Sequence, residues 1–377
     1  MMTRREFLKR MGVTCFGLGL SSSIIDLLSK SEARAAKNEK AFLHEALFYK
    51  KIDETTVQCE LCHRGCTLSD GYRSFCRARE PKEGKLYSLV YGQSCAVHID
   101  PIEKKPLYHF LPGTPVFSIA TAGCNFRCKY CQNWQISQSP PEETENIRLS
   151  PQNLIDQTAK SNCPTIAYTY TEPSIFYEYM LDTAKAAKTA GIRNIYHSNG
   201  SLNPKPVEEL SYYLDAANID LKGFTQDFYT EVCAGYLDTV LNTLKTLKRN
   251  KVWVEITNLV IPTLNDDMKK IQEMSAWIKD NLGEDTPLHF SRFWPQYKLT
   301  NLSPTSVETL ENAKRTAEEA GLKYVYVGNV PGHPSEDTYC ANCKEPLIKR
   351  SGYIVLGNNV AGGKCKFCGA LISGVWS

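Results

Sequence analysis

The sequence predicts an α/β fold: an incomplete parallel barrel of the (β/α)6 type, TIM-like, with flanking cysteine-rich metal-binding modules. Three observations carry that expectation. From residue 114 onward, short apolar β-capable runs alternate with helical stretches, the rhythm of parallel strands covered by helices. Six or seven such units are present, which suits an open barrel better than a closed eight-fold one. Eleven of the 15 cysteines fall into three sets, and the outer two sets lie outside this rhythm. A doubly wound open sheet is the alternative, and in either fold a cofactor site belongs at the C-terminal ends of the strands.

Residues 1–36 read as a leader. Arg4 and Arg5 stand in a T-R-R-x-F-L-K context, followed by a moderately apolar stretch broken by Ser, Gly and Asp26, then by Ala33-Arg34-Ala35. That stretch is a poor spanning helix. It looks like a twin-arginine export signal with an A-x-A cleavage site, which implies a periplasmic or membrane-attached protein; a basic amphipathic helix on a cytoplasmic protein is the alternative. Residues 37–112 form a loop-rich module with Cys59, Cys62, Cys66 and Cys76.

The barrel is expected over residues 113–332. "PVFSIA" (115–120) is its first strand and runs into the middle cysteine set. Ser150 as N-cap and Pro151 at the first helical position start the next helix. "PTIAYTY" (164–170) is a strand, 174–190 a helix stopped by Gly191, and "RNIYHS" (193–198) a strand. A helix over 204–214, the strand "ANIDLK" (217–222) and a helical stretch to about 250 follow. Strand "VWVEITNLVI" (252–261), helix 266–281, strand "PLHFSRF" (287–293), helix 304–320 and strand "YVYVG" (324–328) complete the series. Residues 333–377 form a terminal module whose Cys340, Cys343, Cys365 and Cys368 have the C-x2-C-x21-C-x2-C spacing of a zinc ribbon.

Bulk properties exclude one class of function. A net charge of +3 and a pI near 8.1 supply no basic field for nucleic acid. Clustered C-x2-C pairs in an enzyme-sized chain read as metal ligands rather than as a disulfide framework.

The middle set, Cys124-Asn-Phe-Arg-Cys128-Lys-Tyr130-Cys131, has three thiolates and no local fourth. Three cysteines on a short loop can hold three irons of a 4Fe–4S cluster and leave the fourth open. The run resembles the C-x3-C-x-aromatic-C signature of the radical S-adenosylmethionine (SAM) superfamily. Together with "VQCELCHRGCTLSDGYRSFCRARE", "YTYTEP", "IDLKGF", "HFSRFWP" and "YVYVGN", the chain looks similar to the AmmeMemoRadiSam-system radical enzymes. These are relatives of pyruvate formate-lyase-activating enzyme.

The resemblance implies an enzyme of oxidoreductase or lyase type. Its 4Fe–4S cluster would reductively cleave SAM to methionine and a 5′-deoxyadenosyl radical, which abstracts hydrogen from a substrate the sequence does not specify. It implies cofactor-binding roles for Tyr130 (near the adenine), Glu172 (receiving the methionine ammonium), Ser198 and Asn199. Lys222 would meet the methionine carboxylate and Asp220 would order its neighbours, while His289 would reach the ribose or the substrate. Glu172 before a proline could equally cap a turn, and Asp220 with Lys222 share one face by strand alternation alone. A flavodoxin- or ferredoxin-like reductant is implied, with Memo-like and Amme-like companion proteins as possible partners.

Two rival readings remain at this stage: an activating enzyme that installs a radical on a protein partner, and a non-catalytic iron–sulfur electron-transfer scaffold. The GGE-type motif of the activating enzymes is replaced here by "TYTEP". The first cysteine quartet reads as zinc or as an auxiliary cluster, the last as zinc, and His63 as a bystander beside Cys62.

Overall fold

The computed structural model describes residues 43–377; the twin-arginine-like leader lies outside them. The centre of the molecule is an eight-stranded sheet. Its strands are β1 (Ala96–Pro101), β2 (Pro115–Ala120), β3 (Thr165–Tyr168), β4 (Arg193–Ser198), β5 (Ala216–Asp220), β6 (Trp253–Val260), β7 (Leu288–Arg292) and β8 (Val325–Gly328). The strands β2 to β8 are parallel and lie side by side in chain order. A doubly wound sheet reverses its strand order at a switch point, and these seven strands do not. The sheet is therefore wound in one direction only, and its edges β1 and β8 are not bonded to each other.

One feature differs from the sequence expectation. The parallel strands number seven, the upper count of the six or seven units expected, and β1, from within the cysteine-rich segment, adds an unexpected antiparallel edge against β2. Residues His98 and Ile99 of β1, on opposite faces by strand alternation, are both exposed, so its apolar pattern is too weak to read from sequence.

Helices α1 (Pro151–Lys160), α2 (Tyr177–Thr189), α3 (Pro204–Ser211), α4 (Leu237–Arg249), α5 (Met268–Leu282) and α6 (Val307–Glu319) fill the connections. Ser150 caps α1 by accepting from the Asn153 N–H, with Pro151 first in the helix; Asp267 and Ser306 cap α5 and α6 in the same way. The expected single helix before residue 250 is broken. A wide turn over Tyr229–Cys233 ends at Ala234 with φ 52°, and α4 restarts at Leu237.

Strand alternation divides the core. Phe117, Ile119, Ile166, Tyr168 and Tyr196 pack in the main cluster with the helices, whereas Val116, Ala167, Ile195 and Ala216 pack with Ile102, Leu107 and Phe110. The segment after β1 thus covers the start of the strands. Tyr108, Tyr324 and Tyr326 join the core of the C-terminal module, with Leu347, Ile348, Cys340 and Cys365. The N-terminal strand ends are closed in this way, and the C-terminal ends remain for chemistry.

Candidate active site

The loop after β2 carries Cys124, Cys128 and Cys131 and is held from several sides. Its Arg127 and Lys129 N–H groups donate to the carbonyls of Cys233 and Val232 at 2.8 and 3.0 Å. The Arg127 guanidinium donates to the Cys124 and Phe126 carbonyls at 2.7 and 2.8 Å. The Cys124 sulfur accepts from the Phe126 N–H at 3.3 Å and faces Asn199 Nδ2 at 3.9 Å. Ser137 Oγ lies 3.1 Å from the Cys131 sulfur. Burial, followed by the charges of Glu172 and Cys128, pushes the Cys124 thiol well above its ordinary pKa. Metal binding at this loop must therefore displace protons.

Two polar groups flank the loop. Glu172 follows β3 and is 1% exposed. Its Oε1 accepts from the Ser174 N–H (2.9 Å), Ser174 Oγ (2.6 Å) and Ser198 Oγ (2.7 Å), and its Oε2 from the Asn199 N–H (2.8 Å). The carboxylate does cap the turn Pro173–Phe176, but it also ties the ends of β3 and β4 together. Burial raises its pKa, and the bonds from Ser174, Asn199 and Ser198 pull it back. Asn199 then reaches Asn125 Oδ1 at 2.8 Å, which connects Glu172 to the cysteine loop. Glu172 is thus a positioning residue for Ser198 and Asn199, with one Oε2 lone pair still unused.

The second group ends β5. Lys222 Nζ lies 3.0 Å from Asp220 Oδ2, and His197 Nε2 lies 3.5 Å from Asp220 Oδ1. Burial alone would raise the Asp220 carboxyl, yet Lys222 and His197 hold it below the usual carboxylate range. Burial likewise works against the Lys222 charge, but Asp220, then Cys128 and Cys233, hold its ammonium well above the ordinary value. The Lys222 ammonium lies 5.9 Å from the centre of the Tyr130 ring. Lys222 and Asp220 retain 15% and 29% of their side-chain exposure, so an anionic group can reach them.

The structure therefore brings Cys124, Cys128, Cys131, Tyr130, Glu172, Ser198, Asn199, Asp220 and Lys222 to one end of the sheet. His289 is not among them. It is the second residue of β7, at the opposite end of the strand, where its Nε2 pairs with Glu255 Oε2 at 2.7 Å. Tyr108 and Tyr326 pack on its ring. Glu255 also accepts from the Tyr108 and His109 N–H groups. His289 is a buried structural histidine of the closed end, and the expectation that it meets ribose or substrate is corrected accordingly.

Sequence reasoning also missed Cys233. Its sulfur lies 3.3 Å from the Tyr130 hydroxyl, and its carbonyl accepts the Arg127 N–H. No local signal marks it, because it lies 103 residues from Tyr130. His197 lies in the strand "RNIYHS" beside Ser198, and alternation places it on the same face as Asn199.

The outer cysteine sets differ from each other. Cys340 and Cys368 sulfurs lie 3.7 Å apart, and Cys343 and Cys365 3.8 Å. A Zn–S bond of about 2.3 Å makes the edge of a tetrahedral site about 3.8 Å, so this quartet fits one zinc ion. His63 places its Nδ1 against Ser201 Oγ, and its Nε2 is buried with no hydrogen-bond partner among the described residues.

Residues 118–274 match the radical SAM superfamily. An uncharacterized protein of Methanocaldococcus jannaschii is 48% identical over 334 residues, covering 88% of this chain and 99% of its own length. Pyruvate formate-lyase 1-activating enzyme of Escherichia coli (strain K12) is 23% identical over 222 residues, 54% of this chain and 89% of that enzyme. A domain of pyruvate-formate lyase-activating enzyme from Bacteroides vulgatus superposes with a TM-score of 0.38 at 18% identity, covering 43% of this chain and 98% of that one.

Proposed function

The chain belongs to the radical SAM superfamily, and from that premise we propose that it holds a 4Fe–4S cluster on Cys124, Cys128 and Cys131, with SAM on the remaining iron. The observation that carries this reading is the placement of two polar groups, Glu172–Asn199 and Asp220–Lys222, on either side of a three-cysteine loop at the strand ends. When bound, the two cofactors supply a 5′-deoxyadenosyl radical that takes a hydrogen atom from the substrate.

The chain's own residues orient and tune. Lys222, anchored by Asp220, faces the carboxylate of the methionine moiety, a charge-assisted contact. Asn199, fixed by Glu172, orients the ammonium end. The Phe126 N–H and Asn199 Nδ2 donate to the Cys124 sulfur and so lower the energy of its thiolate. Tyr130, buried between Phe228 and Cys233, forms a wall on which adenine can rest. In this reading the one-way sheet is the wall of an incomplete barrel over residues 113–332, and a flavodoxin- or ferredoxin-like protein is the one-electron donor. The terminal module, residues 333–377, binds zinc. Export by the leader belongs to the same proposal; an Arg4→Lys, Arg5→Lys reporter fusion that is exported as well as the native leader would refute it.

The central test is chemical. Anaerobically reconstituted protein with dithionite and SAM is expected to release 5′-deoxyadenosine, and Cys128→Ala to release none. A fully reconstituted chain that yields no 5′-deoxyadenosine defeats the reading. Cys233→Ser should leave the iron content and the SAM-induced change in the cluster's electron paramagnetic resonance signal intact, as a neighbour of the site rather than its fourth ligand does.

A further inference from the structure

We propose that Cys59, Cys62, Cys66 and Cys76 bind a second iron–sulfur cluster, not zinc, against the outside of the loop that carries Cys124. The proposal does not depend on SAM chemistry. It starts from a contrast within one molecule. Among the described residues, Cys340, Cys343, Cys365 and Cys368 are the group whose metal-ligating atoms all lie within 4.8 Å of one another. No three of the four N-terminal cysteines are gathered that closely. A single zinc ion would hold every pair of thiolates about 3.8 Å apart. A cluster takes each thiolate on a different iron and needs the wider set.

The four sulfurs nevertheless share a site. All four cysteines line one pocket, with Arg64, Arg79 and Ile175 also in its wall. Their backbone is already closed around it, the Cys59 N–H donating to the Cys66 carbonyl at 2.9 Å. Arg79 is fully buried, pairs with the equally buried Glu178, and points an N–H at the Cys59 sulfur, 3.8 Å away. Its Nε, buried, has no acceptor among the described residues. Bridging sulfides are acceptors, and a cluster bound by four thiolates is anionic; a buried guanidinium in the wall suits both.

The pocket is also continuous with the active-site loop. Phe75, next to Cys76, is sandwiched between the guanidinium groups of Arg64 and Arg127 at 3.7 and 4.0 Å. A Cβ at Gly123 would come within 2.4 Å of the Cys76 carbonyl oxygen. Arg64, in the pocket wall, donates from Nε to the Asn125 carbonyl at 3.2 Å, and Asn199 Nδ2 donates to Asn125 Oδ1. The two cysteine sites therefore share a hydrogen-bonded wall made by residues 123–127.

The test uses the full chain with Cys124→Ala, Cys128→Ala and Cys131→Ala, reconstituted anaerobically with iron and sulfide. We expect about four irons and about four sulfides per chain, sulfide-to-iron charge-transfer absorbance, and one zinc. Adding Cys76→Ser should remove the iron and leave the zinc. Two zinc ions with no iron, or a folded variant that takes up neither metal at the first quartet, overturns the proposal. If the triple variant does not fold, the wild-type chain and its Cys76→Ser variant are compared. Iron should fall from about eight to about four per chain, and an unchanged iron content overturns the proposal. Absence of 5′-deoxyadenosine from the reconstituted wild-type chain, with iron retained by the triple variant, defeats the SAM reading alone.

Discussion

Lys222 stands where one side chain most directly meets a ligand, and its removal should be felt in binding. Lys222→Met abolishes the charge-assisted contact and leaves Asp220 with His197 alone. A hydrogen bond to a charged group contributes about 1.5–3 kcal/mol, so SAM affinity should fall by roughly 10- to 100-fold, measured by calorimetric titration of the reconstituted protein. His289 is the converse. His289→Ala strips one partner from buried Glu255 and should cost about 1–3 kcal/mol of stability, read as a lower urea midpoint, with SAM affinity unchanged. A large loss of SAM affinity instead would return His289 to the site. The residues legible from sequence were those whose meaning lies in local spacing. The cysteine triplet is a short run, and Asp220 with Lys222 follow strand alternation. His289 misled because a histidine in a strand does not say which end of the sheet it faces. That was decided by Glu255 and Tyr108, 34 and 181 residues away.

At the scale of elements, the loop after β2 depends on one glycine. Gly123 has φ +102°, and a Cβ there would meet the backbone oxygen of Cys76 at 2.4 Å, an atom that no side-chain rotation can move. Gly123→Ala should destabilise the chain by about 1–3 kcal/mol from backbone strain alone, and should lower iron retention during gel filtration.

The edge strand β1 makes a different prediction. Asp100 holds Lys105 Nζ at 2.6 Å, Lys104 Nζ at 2.9 Å and the Tyr170 hydroxyl. Burial would raise its carboxyl, but Lys105, Tyr170 and Lys104 hold it well below the ordinary range. Burial pushes Lys105 down to about 8, still charged at neutral pH. With its folded pKa lowered, Asp100 binds a proton more readily in the unfolded chain. Its contribution is thus present above about pH 4 and lost as pH falls further. Urea midpoints between pH 3 and 7 should show this acid limb, and Asp100→Asn should flatten it. The strand itself was missed in the sequence because His98 and Ile99, one on each face, are exposed and its pairing partner, β2, follows a long excursion. The parallel strands were legible because both faces are buried and apolar.

Across the whole molecule, the two ends of the sheet do different work. The C-terminal strand ends carry the cysteine loop, and the N-terminal ends are covered by residues 102–111 and the last module. Arg350 of that module donates to the Tyr108 carbonyl at 2.9 Å, with its guanidinium over the Tyr108 ring. His109 accepts the Val375 N–H on its backbone carbonyl. Removing metal from Cys340, Cys343, Cys365 and Cys368 should therefore loosen the closed end first. Competition with a zinc-selective chelator is expected to release one zinc per chain and to lower the melting temperature, while SAM affinity of the reconstituted protein stays within about twofold. A loss of SAM binding in step with zinc release would contradict this division.

The sequence by itself determined the inventory of thiolates, the alternation of strands with helices and the three-cysteine loop after the first parallel strand. Each of these rests on neighbours in the chain: ligand spacing, apolar periodicity, caps and turns. The side-by-side order of the parallel strands was decided by the tertiary structure. Tertiary structure alone decided which polar groups surround that loop, which histidine belongs to the closed end, and how far apart the sulfurs of each quartet stand. Those are distances between residues tens to hundreds of positions apart, set by packing. They separate a quartet at the spacing of one tetrahedral ion from a quartet that is not gathered so closely, where the C-x2-C pairs in the chain look alike.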